Sequence, residues 1–135
     1  MALTVNNKII LSWDDVEVLV DKLCKKILFE TPTIDSVTGI ARGGLIPAVM
    51  ISHKLGLPYV DYALPNTLVI DDIADSGATL EKAPGVYTAV LHYKPHTSSF
   101  KPSIWAEEHK GDEWFIYPWE KTDSNHIQDY LVNKG

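Results

Sequence analysis

The chain has 135 residues, 45% of them hydrophobic and 22% charged, which fits one globular domain with a single core and leaves little room for a second. Its formal net charge of −6 argues against nucleic acid as the main partner, because a phosphate backbone is met by a basic surface. A small anionic ligand stays open, since it needs only a local site.

The opening stretch, residues 1–15, has too short an apolar run for a secretion signal, and no later segment is long enough to span a membrane, so a cytoplasmic location and no membrane partner are expected. Val16, Leu19, Val20, Leu23 and Ile27 recur at helical spacing and predict a helix over residues 14–29. Ser12 is placed to cap it, and Asp14 and Asp15 suit the positive end of its dipole. Cys24 is the sole cysteine, so neither a disulfide within the chain nor a cysteine zinc cluster is available. Its apolar helical neighbours mark it as a buried structural thiol rather than a nucleophile.

A short β-prone run over residues 36–41 leads to the turn Arg42-Gly43-Gly44. A second helix is expected over residues 45–55, with Pro47 in its first turn and Gly56 at its end. Residues 59–63 read as a strand, Pro65-Asn66 as a turn, residues 67–72 as a strongly apolar strand, and residues 78–82 as a short helix stopped by Pro84-Gly85. Further strands are expected over residues 86–93 and 113–119, then a closing helix around Ile127, Tyr130 and Leu131, capped between Thr122 and Ser124. The alternation of strand and helix predicts an α/β fold, a Rossmann-like central parallel sheet flanked by helices.

Ligands of such sheets bind at the carboxyl ends of the strands. There Leu68-Val69-Ile70 runs into Asp71-Asp72, then Asp75-Ser76-Gly77-Ala78-Thr79. Small residues, hydroxyls and a glycine at a helix start can wrap a phosphate with backbone N–H groups and with the Ser76 and Thr79 hydroxyls. Asp71 and Asp72 can accept hydrogen bonds from ribose hydroxyls or hold Mg²⁺. A solvated strand end with a helix cap explains three acids within five positions poorly. The G-x-x-x-x-G-K-[ST] and G-x-G-x-x-G patterns are both absent.

Residues 67–80, TLVIDDIADSGATL, resemble the phosphoribosyl pyrophosphate signature of type I phosphoribosyltransferases: an apolar run, two acids, two variable residues, then D/T-[ST]-G-x-T. The resemblance implies that Asp75, Ser76, Gly77, Ala78 and Thr79 hold the 5′-phosphate, and that Asp71 and Asp72 hold the ribose hydroxyls and Mg²⁺. Asp75 would act as the general base. Ala41-Arg42-Gly43-Gly44 resembles the family's pyrophosphate loop, with Ala41 in place of the usual serine and a cis peptide implied before Arg42. His92-Tyr93-Lys94-Pro95 and residues 113–120, EWFIYPWE, resemble the bacterial xanthine–guanine branch. That likeness gives Lys94 the purine 6-oxo group, Trp114 the purine face and the backbone near Phe115 the base edge, while Trp119 reads as core. The implied fold carries a reduced C-terminal base-binding hood. The implied partners are phosphoribosyl pyrophosphate, a 6-oxopurine and further copies of the chain in a homodimer or homotetramer.

One part of the pattern is missing. The family's long mobile loop would lie between residues 63 and 67, where only Leu64-Pro65-Asn66 stand. A lid keeps water from an oxocarbenium-like state. Residues 96–110, polar and rich in Ser and Lys, are a candidate replacement cover. Two other readings stay open: a module that binds phosphoribosyl pyrophosphate or a nucleotide without efficient chemistry, and a transferase acting on a pyrimidine or orotate. The fold alone does not decide among them.

Overall fold

Residues 67–74 are almost all buried, as a strand covered on both faces requires, and they form the longest strand of the computed structural model. The structure describes residues 2–30, 32–78 and 87–120. In chain order its elements are β1 (Leu3–Val5), β2 (Lys8–Ile10), α1 (Trp13–Glu30), β3 (Ser36–Gly39), α2 (Leu45–Leu55), β4 (Thr67–Ala74), β5 (Tyr87–Tyr93), β6 (Ile104–Glu108) and β7 (Trp114–Ile116). Thr79, Val86, the expected helix over residues 78–82 with its Pro84-Gly85 stop, and the expected closing helix lie outside the described residues, save for Ala78 itself. No helix among the described residues is long and apolar enough to cross a membrane. The chain divides into two units, Leu19–Lys110 and Met1–Val18 with Gly111–Gly135.

The larger unit is built on a four-stranded sheet of order β3-β4-β5-β6, parallel throughout. Val37, Leu68, Ile70, Ala89, Val90 and Leu91 are fully buried along it. Ala48 and Ile51 of α2 and Val20 and Leu23 of α1 are equally buried, each large aliphatic side chain contributing about 1.5–3 kcal/mol of transfer free energy. Lys22 reaches Glu107 at 2.8 Å, and the Lys26 ammonium donates to the carbonyls of Trp105 (2.7 Å) and Ala106 (3.1 Å), which ties α1 to β6. Cys24 is buried as expected, and burial raises its thiol pKa to about 11. His92 of β5 is buried too, and loss of hydration pushes its pKa down to about 4 against the opposing pull of Glu107, 3.9 Å away.

The strand expected over residues 59–63 is not there. Only Tyr59 bridges to Val37, through Val37 N–H to the Pro58 carbonyl (3.0 Å) and Val60 N–H to the Val37 carbonyl (2.9 Å). Pro58 has no N–H to extend the ladder, and Asp61 and Tyr62 turn out to solvent. This bridge sets the topology all the same. From β3 the chain passes through α2 to the outer edge of β3, whereas from β4 it passes to β5 on the other side. The carboxyl ends of β3 and β4 therefore flank a switch point, where an open parallel sheet leaves a crevice. β6 was not foreseen: Ile104 and Ala106 face inward in alternation, and Trp105 packs on the Tyr93 ring at 4.8 Å. So residues 104–108 belong to the sheet, and of the expected cover only the loop before them is left.

In the smaller unit, β1 and β2 form an unforeseen hairpin through Asn6 and Asn7, both at positive φ (51° and 65°), as a two-residue hairpin turn demands. β7 pairs in parallel with β2 and spans three residues of the expected 113–119, ending before Pro118. Beyond it Trp119 stacks on Tyr117 (5.0 Å, 3°) and meets Trp13 at 5.9 Å, an aromatic cluster that fits its reading as a packing residue. Ser12 caps α1 reciprocally with Asp15, whose carboxyl pKa the Ser12 backbone N–H lowers.

Candidate functional site

β3 ends at Gly39, opposite Ile70, while β4 continues four residues further. Residues 40–44 fill the edge that β3 leaves. Ile40 N–H donates to the Ile70 carbonyl (2.8 Å), Gly44 N–H to the Ile40 carbonyl (2.8 Å) and Leu45 N–H to the Arg42 carbonyl (3.1 Å). The Ala41–Arg42 peptide is cis. Gly43 lies so close to Asp72 that a Cβ there would run into the Asp72 carboxylate. That contact brings the loop after β3 and the acids of β4 to one place. Arg42 is exposed beside it. Of the two glycine amides expected to face an anion, that of Gly44 is already engaged by Ile40.

Alternation along β4 sends Asp71 and Asp72 to opposite faces, so only Asp72, 8% exposed, abuts Gly43. Asp71 Oδ1 accepts the Asp72 N–H and Asp72 Oδ1 accepts the Ile73 N–H, both at 2.8 Å. Two adjacent carboxylates are hard oxygen donors of the kind Mg²⁺ takes, and the side-chain-free cradle at Gly43 lies beside one of them. Among the described residues no group of three or more His, Cys, Asp or Glu could hold a metal. This donor set fits an ion held by one or two carboxylates and by phosphate oxygens rather than by a protein cage.

The loop after β4 holds Asp75, Ser76, Gly77 and Ala78 together. Ala78 N–H donates to Ser76 Oγ at 3.3 Å. Gly77 has φ 80°, and a Cβ would sit 2.6 Å from both the Phe100 nitrogen and Ser98 Oγ, so two separate constraints require glycine. Lys94, at the end of β5, is 4% exposed and places Nζ 3.9 Å from Asp75 Oδ2. Its N–H donates to the Ala74 carbonyl at 3.0 Å, which fixes it beside the loop. Sequence reasoning singled out Asp75 and Lys94 but not Thr97, whose Oγ1 lies 2.7 Å from Asp75 Oδ1. Only its place in a Ser/Thr-rich run hinted at it.

Trp114 and Phe115 stand in the smaller unit. Trp114 is 37% exposed and its N–H donates to the Asn7 carbonyl at 2.9 Å. Phe115 is buried opposite Ile9, with its ring 6.3 Å from that of Tyr117.

A parallel sheet with a switch point between β3 and β4, and a loop after β3 that meets the acids of β4 there, define an α/β protein of the kind that binds its ligand at the carboxyl edge. No protein-family model matches the chain. It is 28% identical over 117 residues to the xanthine-guanine phosphoribosyltransferase of Cereibacter sphaeroides (strain ATCC 17025 / ATH 2.4.3), with 63% of this chain and 68% of that protein covered. Among solved structures it is similar to the purine phosphoribosyltransferase from Pyrococcus horikoshii Ot3, with TM-score 0.72, 28% identity and coverage of 90% of this chain and 99% of that one. It shares its fold with the xanthine-guanine-hypoxanthine phosphoribosyltransferase of Helicobacter pylori, with TM-score 0.70, 19% identity and coverage of 84% and 93%. In sequence and fold the chain is thus similar to type I phosphoribosyltransferases that act on purines.

Proposed function

We propose that the chain transfers the 5-phosphoribosyl group from phosphoribosyl pyrophosphate to a 6-oxopurine (guanine, xanthine or hypoxanthine), a purine-salvage reaction. The observation that carries this reading is the meeting, at the carboxyl ends of β3 and β4, of the Gly43 backbone with the Asp72 carboxylate, beside the glycine-bearing loop that starts at Asp75. The names of two relatives at 28% identity support the transfer to a purine.

In this reading Ser76, Gly77 and Ala78, with Thr79 beyond the described residues, receive the 5′-phosphate through backbone N–H groups and hydroxyls. Asp71 and Asp72 would hold the ribose hydroxyls and Mg²⁺, an ion that when bound would supply positive charge against the leaving pyrophosphate. Arg42 and the Gly43 amide hold that pyrophosphate, with Ala41 and Gly44 shaping the loop around it. The bond from C1 to the pyrophosphate oxygen breaks, a bond from C1 to a purine ring nitrogen forms, and Asp75 takes the N7 proton. Lys94 recognises the 6-oxo group, Trp114 stacks on the purine and the backbone at Phe115 reads its edge. The working form is a homodimer or homotetramer.

A second reading, a module that binds phosphoribosyl pyrophosphate or a nucleotide without turnover, has one observation behind it. The link into β4 is a closed turn, with Thr67 N–H donating to the Leu64 carbonyl and Leu64 N–H to Thr67 Oγ1, both at 3.0 Å, so no long loop rises there. Incubation with phosphoribosyl pyrophosphate, Mg²⁺ and separate bases, followed by chromatography, tests both. Nucleotide from guanine, xanthine or hypoxanthine is expected. Product from orotate instead would overturn the purine assignment, and saturable binding without product would favour the module.

A further inference from the structure

After β5 the chain doubles back onto the loop that leaves β4. Ser99 binds the Ser76 carbonyl twice, through its N–H at 2.8 Å and its hydroxyl at 3.0 Å. Phe100 and Ser98 press against Gly77 where a side chain would otherwise stand. Thr97 Oγ1 lies 2.8 Å from the Asp75 carbonyl and 2.7 Å from Asp75 Oδ1. The segment is itself anchored: Thr97 N–H (3.2 Å) and Ser98 N–H (2.9 Å) both donate to the Lys94 carbonyl, and Ser98 Oγ donates to the Phe100 carbonyl at 2.6 Å. The Asp75 carboxylate is thus met at both oxygens, by the Thr97 hydroxyl at Oδ1 and by the Lys94 ammonium at Oδ2, 3.9 Å away.

A hydroxyl has one proton to give, and the carboxylate is the stronger of the two acceptors Asp75 offers. An aspartate side chain otherwise samples several staggered rotamers. A general base acts only from within hydrogen-bond reach of its proton, so fixing the rotamer matters to the chemical step more than to ligand binding.

We propose that Thr97 is a positioning residue for Asp75, and that residues 97–100 are a strap that orders the phosphate loop. This inference rests on the transferase reading. Thr97 is exposed, so changing it leaves the core intact.

The experiment is steady-state kinetics of the full chain with phosphoribosyl pyrophosphate, Mg²⁺ and the best purine base, with thermal melts run alongside. Thr97→Val is expected to lower kcat by roughly 10- to 100-fold, with KM for phosphoribosyl pyrophosphate within about twofold of wild type. Thr97→Ser is expected to restore most of the rate. In an Asp75→Asn background Thr97→Val is expected to cost nothing further, because a residue that acts through Asp75 has nothing left to position. A wild-type kcat in Thr97→Val, or a loss that persists in full when Asp75 is already Asn, overturns the inference and leaves the transferase reading standing. A wild-type chain that forms no nucleotide from any base overturns the transferase reading and the role of Thr97 with it.

Discussion

The link that enters β4 and the loop that leaves it are held to different effect. Leu64-Pro65-Asn66 is closed by its immediate neighbour Thr67, whose N–H and hydroxyl both bind Leu64, and its Asn66 carbonyl accepts the Asp35 N–H at 2.9 Å. The loop from Asp75 is held by residues 22 and 23 positions further on, through Thr97 and Ser99. The entering link leaves β3's outer edge at Tyr59, level with Val37, and rejoins the sheet at Thr67, level with Ser36. It thus ends at the opposite end of β3 from Gly39, where the loop after β3 meets the acids of β4. What separates them is the group that is held: at the leaving loop distant chain brings a hydroxyl donor to the Asp75 carboxylate, whereas the entering link has no carboxylate to receive one.

The two segments are expected to fail differently when broken. Asp75→Asn is expected to lower kcat by about 10²–10⁴-fold, the usual worth of a general base, while calorimetric affinity for phosphoribosyl pyrophosphate stays within a few-fold of wild type. Acid acts on the whole molecule instead. His92 is held neutral with its pKa lowered from 6.5 to about 4, so below pH 6.5 the unfolded chain takes up a proton that the folded one refuses. Stability is therefore full above pH 6.5 and falls by up to about 3 kcal/mol as pH drops towards 4; urea melts across that range, with His92→Gln removing the slope, check it.

Gly77→Ala puts a side chain at φ 80° against the strap and is expected to cost about 1–3 kcal/mol in urea melts, together with weaker phosphoribosyl pyrophosphate binding. Thr67→Val removes a fully buried hydroxyl shared between Ser36 Oγ (2.8 Å) and Leu64 N–H, and is expected to cost about 1–2 kcal/mol with kcat unchanged. A fall in kcat with Thr67→Val would erase the distinction between connector and site.

The same contrast governs what the sequence makes legible. α1, α2 and β4 follow from apolar spacing and end signals within each segment, and the acids and glycine of residues 71–77 carry their chemistry in a contiguous motif. The β1–β2 hairpin was signalled only by Asn6-Asn7 between strands whose residues are exposed or half-buried, so alternation gave no help. β6 hid inside a polar stretch because only Ile104 and Ala106 are buried, with Trp105 between them half-buried against Tyr93. Residues 59–63 look β-prone yet lack a partner beyond Tyr59, since pairing depends on what lies alongside and not on propensity. Thr97 could not be found from spacing, because its role exists only once β5 has been laid beside β4.

The most direct test follows phosphorus through the reaction. Wild-type chain, phosphoribosyl pyrophosphate and Mg²⁺ are observed by ³¹P NMR before and after guanine, xanthine or hypoxanthine is added. A 6-oxopurine phosphoribosyltransferase releases inorganic pyrophosphate and forms a nucleoside monophosphate resonance only once the base is present. Resonances of phosphoribosyl pyrophosphate that shift on binding, with no base-dependent pyrophosphate release, would contradict it.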